Sequence, residues 1–229
     1  MSLNRSLIAP TSNPLLERAL IDKLARRVEV VGSLGELEPV AVRLGLMQNT
    51  LKPRFRDPQL VLFASDHGLA VDGVQQAQLP QSHDRVQQLL TGQLPVSVFA
   101  RIQGLELSLI DCGLAAEMAP HERLMPRKIA HGTRNARVSA AMALDQAHAA
   151  IRAGMEIGDA LRGNMVACAG IGVGSHVAAA LLIARLTKSP VRDLLVSGPQ
   201  MSSESLSHLM AIAQGAQARH REVSDAVEV

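Results

Sequence analysis

The stretch from Asn164 to Leu186, NMVACAGIGVGSHVAAALLIARL, constrains the fold more than any other part of the chain. A short apolar run, Asn164 to Ala169, meets glycines at alternate positions, Gly170, Gly172 and Gly174. An Ala- and Leu-rich run at helical spacing follows, from Ser175 to Thr187. The first run reads as a buried strand and the second as a helix. A strand, glycine turn and helix in that order belong to α/β folds, where parallel strands are joined by helical crossovers. A turn with so little side chain lets backbone N–H groups approach an anion, and the helix from Ser175 aims its positive end at the same point. Two readings of Gly170, Gly172, Gly174 and Ser175 stay open: a phosphate-holding turn, or a tight turn packed close to a neighbouring strand. A dinucleotide fingerprint fits less well, because the third glycine is misplaced and no acidic residue closes the usual interval of about 20 residues. The Gly-Lys-Ser/Thr of a Walker loop does not follow.

The rest of the chain alternates in the same way. Residues 14 to 30 and Glu36 to Gln48 carry apolar residues at helical spacing, separated by the turn Gly32-Ser33-Leu34-Gly35. Leu60 to Ala64 and Leu105 to Asp111 read as strands. Asp84 to Leu90 and Val96 to Gln103 read as helices between them. Residues 119 to 138 are polar, with Pro120, Pro126 and Gly132, and read as a long functional connection. Helices are expected over Ser139 to Asp159 and Ser202 to Arg221, and a fourth strand over Val191 to Ser197. The expected fold is α/β: a doubly wound, mostly parallel sheet with helices on both faces, plus a small helical N-terminal part. The expected division is residues 1–50 and 51–229.

At 229 residues the chain has room for one domain or slightly more, and 47% apolar content fills a substantial core. A net charge of +2, with three Phe and no Tyr or Trp, gives neither the basic face nor the stacking platforms of a nucleic-acid binder. Cys112 and Cys168 lie in or beside apolar runs and read as two buried thiols of a reducing, cytoplasmic setting. The N-terminal residues lack a signal-peptide core, and no run reaches the ~20 apolar residues of a membrane span. The expected partners are therefore small molecules, with no nucleic acid and no membrane.

Asp66 and His67 directly follow a strand, where open parallel sheets place their ligand crevice. Asp66 is placed to orient His67 or hold a sugar hydroxyl, or simply to satisfy loop backbone groups. Asp111 ends the next strand in the same manner. Gly132, Thr133, Arg134 and Asn135 close the long connection and read either as a phosphate or ribose loop or as a helix-leading turn. Arg134 offers the planar fork of donors that suits phosphate. No His, Cys or carboxylate spacing points to a metal.

Taken in order, GSLGELE, VLFASDHGLAVDGV, IDCGLA, HGTRNARVSAAM and AGIGVGSHVAAA resemble the nicotinate-nucleotide–dimethylbenzimidazole phosphoribosyltransferase family, from about residue 15 to the end of the chain. The resemblance implies a large doubly wound domain with a small helical one, in a homodimer. It also implies transfer of a phosphoribosyl group from nicotinate mononucleotide to a ring nitrogen of dimethylbenzimidazole, without metal or cofactor. It places the phosphoribosyl group near Gly170, Gly172, Gly174, Ser175 and Gly132 to Asn135, and the base near Asp66, His67, Gln75 and Asp111. There are departures. Cys168 stands where that family has a Glu before its glycine turn, and Gln75 and Ala77 where its base pocket has a Ser and an aromatic residue. That family's general base, a Glu in an RLGEGTGA segment, has no counterpart in these 229 residues. The catalytic residue is thus left unassigned. Three readings stand: an active transferase with its base supplied by another residue or chain, a non-catalytic or regulatory homologue, and one part of a split enzyme.

Overall fold

A computed structural model describes residues 10–75, 81–195, 201–225 and 227–228. The chain divides into two compact units, Met1–Phe55 and Arg56–Val229. In the first, helix α1 (Pro14–Val31) starts where the Asn13 side chain accepts from Leu16 N at 3.1 Å, with Pro14 in the first turn. Gly32, at φ +84, ends it. Helix α2 (Leu37–Met47) packs back on α1 so closely that a Cβ on Gly45 would lie 2.6 Å from the Leu20 methyl carbons.

The second unit is built on a four-stranded sheet of β1 (Gln59–Ser65), β2 (Glu106–Gly113), β3 (Leu124–Pro126) and β4 (Val166–Ile171). Its order is β3-β2-β1-β4, and every described pair is parallel. Helices α3 (Ser82–Leu90) and α4 (Pro95–Ile102) carry the chain from β1 to β2, and α5 (Leu144–Ala160) leads into β4. Alternation along β1 divides the core. Leu62 and Ala64 join Leu109 and the α3 residues Val86, Leu89 and Leu90 on one face. Val61 joins Ile110 and Ile157 of α5 on the other, with Phe63 and Cys112 against them. Helices therefore lie on both faces of β1 and β2, as in a doubly wound sheet. A third cluster joins α6 (Ser175–Thr187), α7 (Val191–Leu195) and α8 (Ser203–Arg219) to Leu69, Val74 and Val173.

Three expectations are corrected. Val191 to Leu195 is a helical turn, not a strand, because Val191 and Leu195, four apart, both enter the third cluster; Val196 and Ser197 lie outside the described residues. The long polar connection contains β3, a three-residue edge strand whose Leu124 pairs with Leu109 and whose Pro126 is tolerated at the edge. The helix expected from Ser139 begins at Leu144, after a turn in which Val138 N and Ser139 N both donate to Asn135 O. Among the described residues, no helix is long and apolar enough to cross a membrane.

Candidate functional site

In a doubly wound sheet the crevice opens at the carboxyl ends, where the strand order reverses. Here the reversal falls between β1 and β4, neighbours in the sheet but separated by β2 and β3 in the chain. The glycine turn after β4 abuts the end of β1. A Cβ on Gly172 would lie 1.6 Å from Ser65 O, so only glycine fits there. Gly174 sits at φ +83, and a Cβ on it would meet His67 Cβ at 3.1 Å and a Val74 methyl at 3.5 Å. His67 N donates to Val173 O (3.2 Å), and Ser175 N to Gly172 O (3.3 Å). Gly170 stands back in the strand, with nothing within 4 Å of such a Cβ.

Asp66 ties the crevice together. One carboxylate oxygen accepts from Ser82 Oγ and the other from Ala115 N at 2.8 Å. Its backbone N donates to Gly113 O (2.9 Å), and its carbonyl accepts from Thr133 N (3.0 Å). Ser82 Oγ in turn accepts from Val173 N at 2.8 Å. Ser82 is 2% exposed, so this bridge between the Asp66 carboxylate and the glycine turn is shielded from water. Nothing in the sequence marks Ser82, a serine in the first turn of an amphipathic helix.

The loop Gly132–Asn135 lies over the same strand end. Gly132, at φ +81, sits so that a Cβ would meet Asp66 O at 3.2 Å. Gly68 N donates to Thr133 Oγ1 (3.1 Å), and a Cβ on Gly68 would fall 2.3 Å from Arg134 C. The side chains beyond are engaged within the chain. Arg134 Nε donates to Ala140 O (2.9 Å), and Asn135 Nδ2 to Asp72 (2.8 Å). Asp72 also pairs with Arg137 at 2.8 Å, and its carbonyl lies 2.8 Å from His208 Nε2. Asp72 is a second anchor that sequence reasoning missed, since an aspartate before Gly73 reads as an ordinary turn residue.

Asp111 turns inward at the end of β2. It is 5% exposed, accepts from Gly113 N (3.0 Å) and Leu114 N (2.9 Å), and has Lys128 Nζ at 3.4 Å. Lys128 also donates to Leu114 O (3.1 Å) and Ala116 O (3.2 Å), pinning the loop that presents Ala115 N to Asp66. Beside it, burial and the Asp111 carboxylate push the Cys112 thiol up to about 11, so it is protonated and unreactive at neutral pH. Cys168 is exposed, contrary to the expectation of two buried thiols: β4 is an outer strand of the described sheet, and its residues before Ile171 are all exposed. Gln75 is half-buried at the end of the segment that carries Val74 to the glycine turn, and Ala77 lies outside the described residues. The structure thus gathers Asp66, His67, Gly132, Thr133, Gly172, Gly174 and Ser175 at one strand end, and holds Asp111 and the Asn135 side chain in supporting contacts. A cavity of about 600 Å³ lies elsewhere, lined by Arg101, Glu106, Ser108 and Arg123 among others. Among the described residues no group of three or more His, Cys, Asp or Glu side chains is placed to hold a metal ion.

Burial lowers the pKa of His67, and the neighbouring Asp66 charge opposes that only in part. His67 is therefore neutral at pH 7, with Nε2 3.4 Å from Ser65 Oγ. A histidine with a depressed folded pKa stabilises the fold above its unfolded value, here 6.5, and loses that contribution as pH falls through the folded pKa. Burial lowers His176 in the same way. Melting curves from pH 7.5 to 5 are expected to show the midpoint falling below pH 6.5. His67→Gln is expected to remove part of that slope, leaving the part due to His176. An unchanged slope would show that His67 is not buried as described.

By class, this is an α/β protein with its crevice at the carboxyl ends of a parallel sheet, closed by glycine turns. Comparison makes the class specific. The phosphoribosyltransferase family model matches residues 9–229. A nicotinate-nucleotide–dimethylbenzimidazole phosphoribosyltransferase of Janthinobacterium sp. is 32% identical over 213 residues, covering 93% of this chain and 62% of that protein. The enzyme of the same name from Cupriavidus taiwanensis is 34% identical over 219 residues, covering 94% and 62%. The crystal structure of CobT from Thermus thermophilus matches with a TM-score of 0.75 and 30% identity, over 90% of this chain and 62% of that one. The chain belongs to the nicotinate-nucleotide–dimethylbenzimidazole phosphoribosyltransferase family. It spans about 62% of the length of the relatives it matches.

Proposed function

We propose that the chain takes part in phosphoribosyl transfer from nicotinate mononucleotide to dimethylbenzimidazole, the step that makes the nucleotide of the lower cobalamin ligand. The observation that carries this reading is the junction of the glycine turn with the end of β1, where Gly172 and Gly174 close on Ser65 and His67. In this reading the N-terminus of α6, with Ser175, receives the substrate phosphate, and the loop Gly132–Asn135 borders the ribose. Asp66 positions these loops, its carboxylate being taken up by Ser82 and Ala115. One ring nitrogen of the benzimidazole attacks the ribosyl carbon, and the bond to the nicotinate nitrogen breaks with its electron pair returning to the pyridine ring. The product benzimidazole must then lose its N–H proton. His67, held neutral by burial, has a ring nitrogen at the crevice that can accept it. A homodimer, as the family resemblance implies, belongs to the same reading, and so does the cytoplasmic setting expected from the sequence.

The test is direct. Purified protein is mixed with nicotinate mononucleotide and dimethylbenzimidazole, and free nicotinate is followed. Release is expected, and His67→Gln is expected to lower kcat by roughly 10²-fold with little change in KM for the nucleotide. No release at millimolar substrates, together with no heat of nucleotide binding by calorimetry, overturns the reading.

A further inference from the structure

Ser65 ends β1 with its hydroxyl turned to the imidazole two residues on: Oγ lies 3.4 Å from His67 Nε2. Backbone packing fixes both partners. The register of β1 against β2 shifts between Ala64 and Ser65, so that Ser65 pairs with Gly113 and not with Cys112. Glycines flank it: a Cβ on Gly113 would meet Ser65 Cβ at 3.9 Å, and one on Gly172 would overlap Ser65 O. His67 is held by its N–H on Val173 O (3.2 Å) and by Gly174, where a Cβ would meet His67 Cβ at 3.1 Å. Among the described residues, Ser65 Oγ and the His67 ring have no hydrogen-bond partner other than each other. The two ring nitrogens therefore differ. Nε2 faces the hydroxyl. Nδ1 faces no protein partner and yet is not sealed off, since the buried and unpartnered side-chain atom among the described residues is Gln59 Oε1. Nδ1 is thus open to solvent, on a residue of the strand end that forms the crevice.

A neutral imidazole carries one N–H and one free lone pair. With the proton on Nε2, the ring donates to Ser65 and leaves the Nδ1 lone pair open. With the proton on Nδ1, the lone pair is taken up by Ser65 and no nitrogen is free to act as a base. We propose that Ser65 is a positioning residue for phosphoribosyl transfer: its Oγ accepts from His67 Nε2–H and fixes the tautomer in which Nδ1 is the proton acceptor. The role in transfer rests on the reading given above. The ribosylated benzimidazole gives its N–H proton to Nδ1, and the bonding pair stays on its ring, which becomes neutral. The imidazolium keeps its Nε2–H bond to Ser65, now charge-assisted and stronger. Ser65 itself neither gains nor loses a proton. Among the charged groups on the elements around His67, Asp66 acts on the ring, with its carboxylate turned to Ser82 and Ala115 N. Arg134 is engaged with Ala140 and Asp72 with Arg137, and His176 lies in the first turn of α6.

The test is NMR of protein carrying isotope-labelled nitrogen in its histidine rings, titrated from pH 7.5 to 5. The His67 signals are assigned by their loss in His67→Gln. The expected result is a neutral ring protonated on Nε2. In Ser65→Ala the titration midpoint of His67 is expected to fall by roughly 0.5–1 pH unit, because the imidazolium loses its acceptor. Ser65→Thr keeps the hydroxyl and is expected to restore the midpoint. In the nicotinate-release assay the acid limb of kcat is expected to move with the midpoint, while KM for the nucleotide stays within about twofold. A wild-type ring protonated on Nδ1 overturns the proposal, and this readout needs no variant to fold. So does a midpoint that stays or rises in Ser65→Ala, a rise being what loss of a hydroxyl donating to Nε2 would give. The ring signals do not depend on turnover. Absence of nicotinate release beside the expected signals sinks the transfer reading and leaves the Ser65–His67 bond standing, so the two failures are distinguishable.

Discussion

Gly172→Ala is expected to cost the fold at least about 3 kcal/mol, whereas Gly170→Ala, two residues earlier, changes stability by no more than about 0.5 kcal/mol. Both glycines belong to one motif, and only packing separates them. A Cβ on Gly172 would overlap Ser65 O at 1.6 Å and approach Ser65 C at 2.8 Å, and both atoms are backbone. β1 cannot retreat, since Ala64 pairs with Ile171 on one side and Asp111 on the other, and Asp66 N is bonded to Gly113 O at 2.9 Å. Relief requires opening the β1–β4 junction or displacing the glycine turn. For a chain of this size, about 3 kcal/mol lowers the melting midpoint by about 6–12 °C. Gly170 has no neighbour within 4 Å and an ordinary strand backbone, so a methyl group adds no clash. Urea denaturation of the two variants separates the cases. Equal stabilities would mean that the turn does not approach β1 as described. The expected difference also favours the packing reading of Gly172 over a purely ligand-driven one, since it arises with no phosphate present.

The elements with strong periodicity are legible in the sequence. Both N-terminal helices, strands β1, β2 and β4 and the helix after the glycine turn fall within a few residues of their expected positions. The failures have physical causes. β3 is three residues long and exists only because β2 offers it an edge. The run after Pro190 is too short for its apolar residues to fix a period, and the third cluster, which takes in both Val191 and Leu195, decides for a helical turn. The apolar surroundings of Cys168 point to burial, but a sequence records what is suited to burial, not whether a neighbour arrives to cover it. At the crevice, Asp66, Gly132 and Gly172 announce themselves by motif and position. Their partners do not. Ser82 lies 16 residues from Asp66 and 91 from Val173, and no local pattern joins them. For the same reason the side chains of Thr133, Arg134 and Asn135 read equally well as ligand contacts or as loop pins, until Gly68, Ala140 and Asp72 are seen to hold them.

Ser82→Ala is expected to destabilise the chain by about 2–4 kcal/mol, a large effect for the loss of one oxygen. The hydroxyl donates to the Asp66 carboxylate and accepts from Val173 N, so its removal strands a charged acceptor and a backbone donor at once. Water does not easily replace it, because Ser82, in the first turn of α3, is 2% exposed. Each unsatisfied buried group costs about 1–3 kcal/mol, which sets the range. Ser82→Thr keeps both bonds and is expected to cost about 1 kcal/mol from crowding by one methyl group. Asp66→Ala removes the partner of Ser82 and of Ala115 N together, so the two single losses share one interaction. A double-mutant cycle on urea midpoints should therefore show a coupling of at least about 1 kcal/mol between Ser82 and Asp66. Amide exchange gives a local readout, since Val173 N–H should lose protection in Ser82→Ala more than the amides of α8 do. If the cycle closes additively and Val173 keeps its protection, the glycine turn is held by its own backbone contacts to His67 and Ser65. The crevice would then owe its shape to the glycines alone.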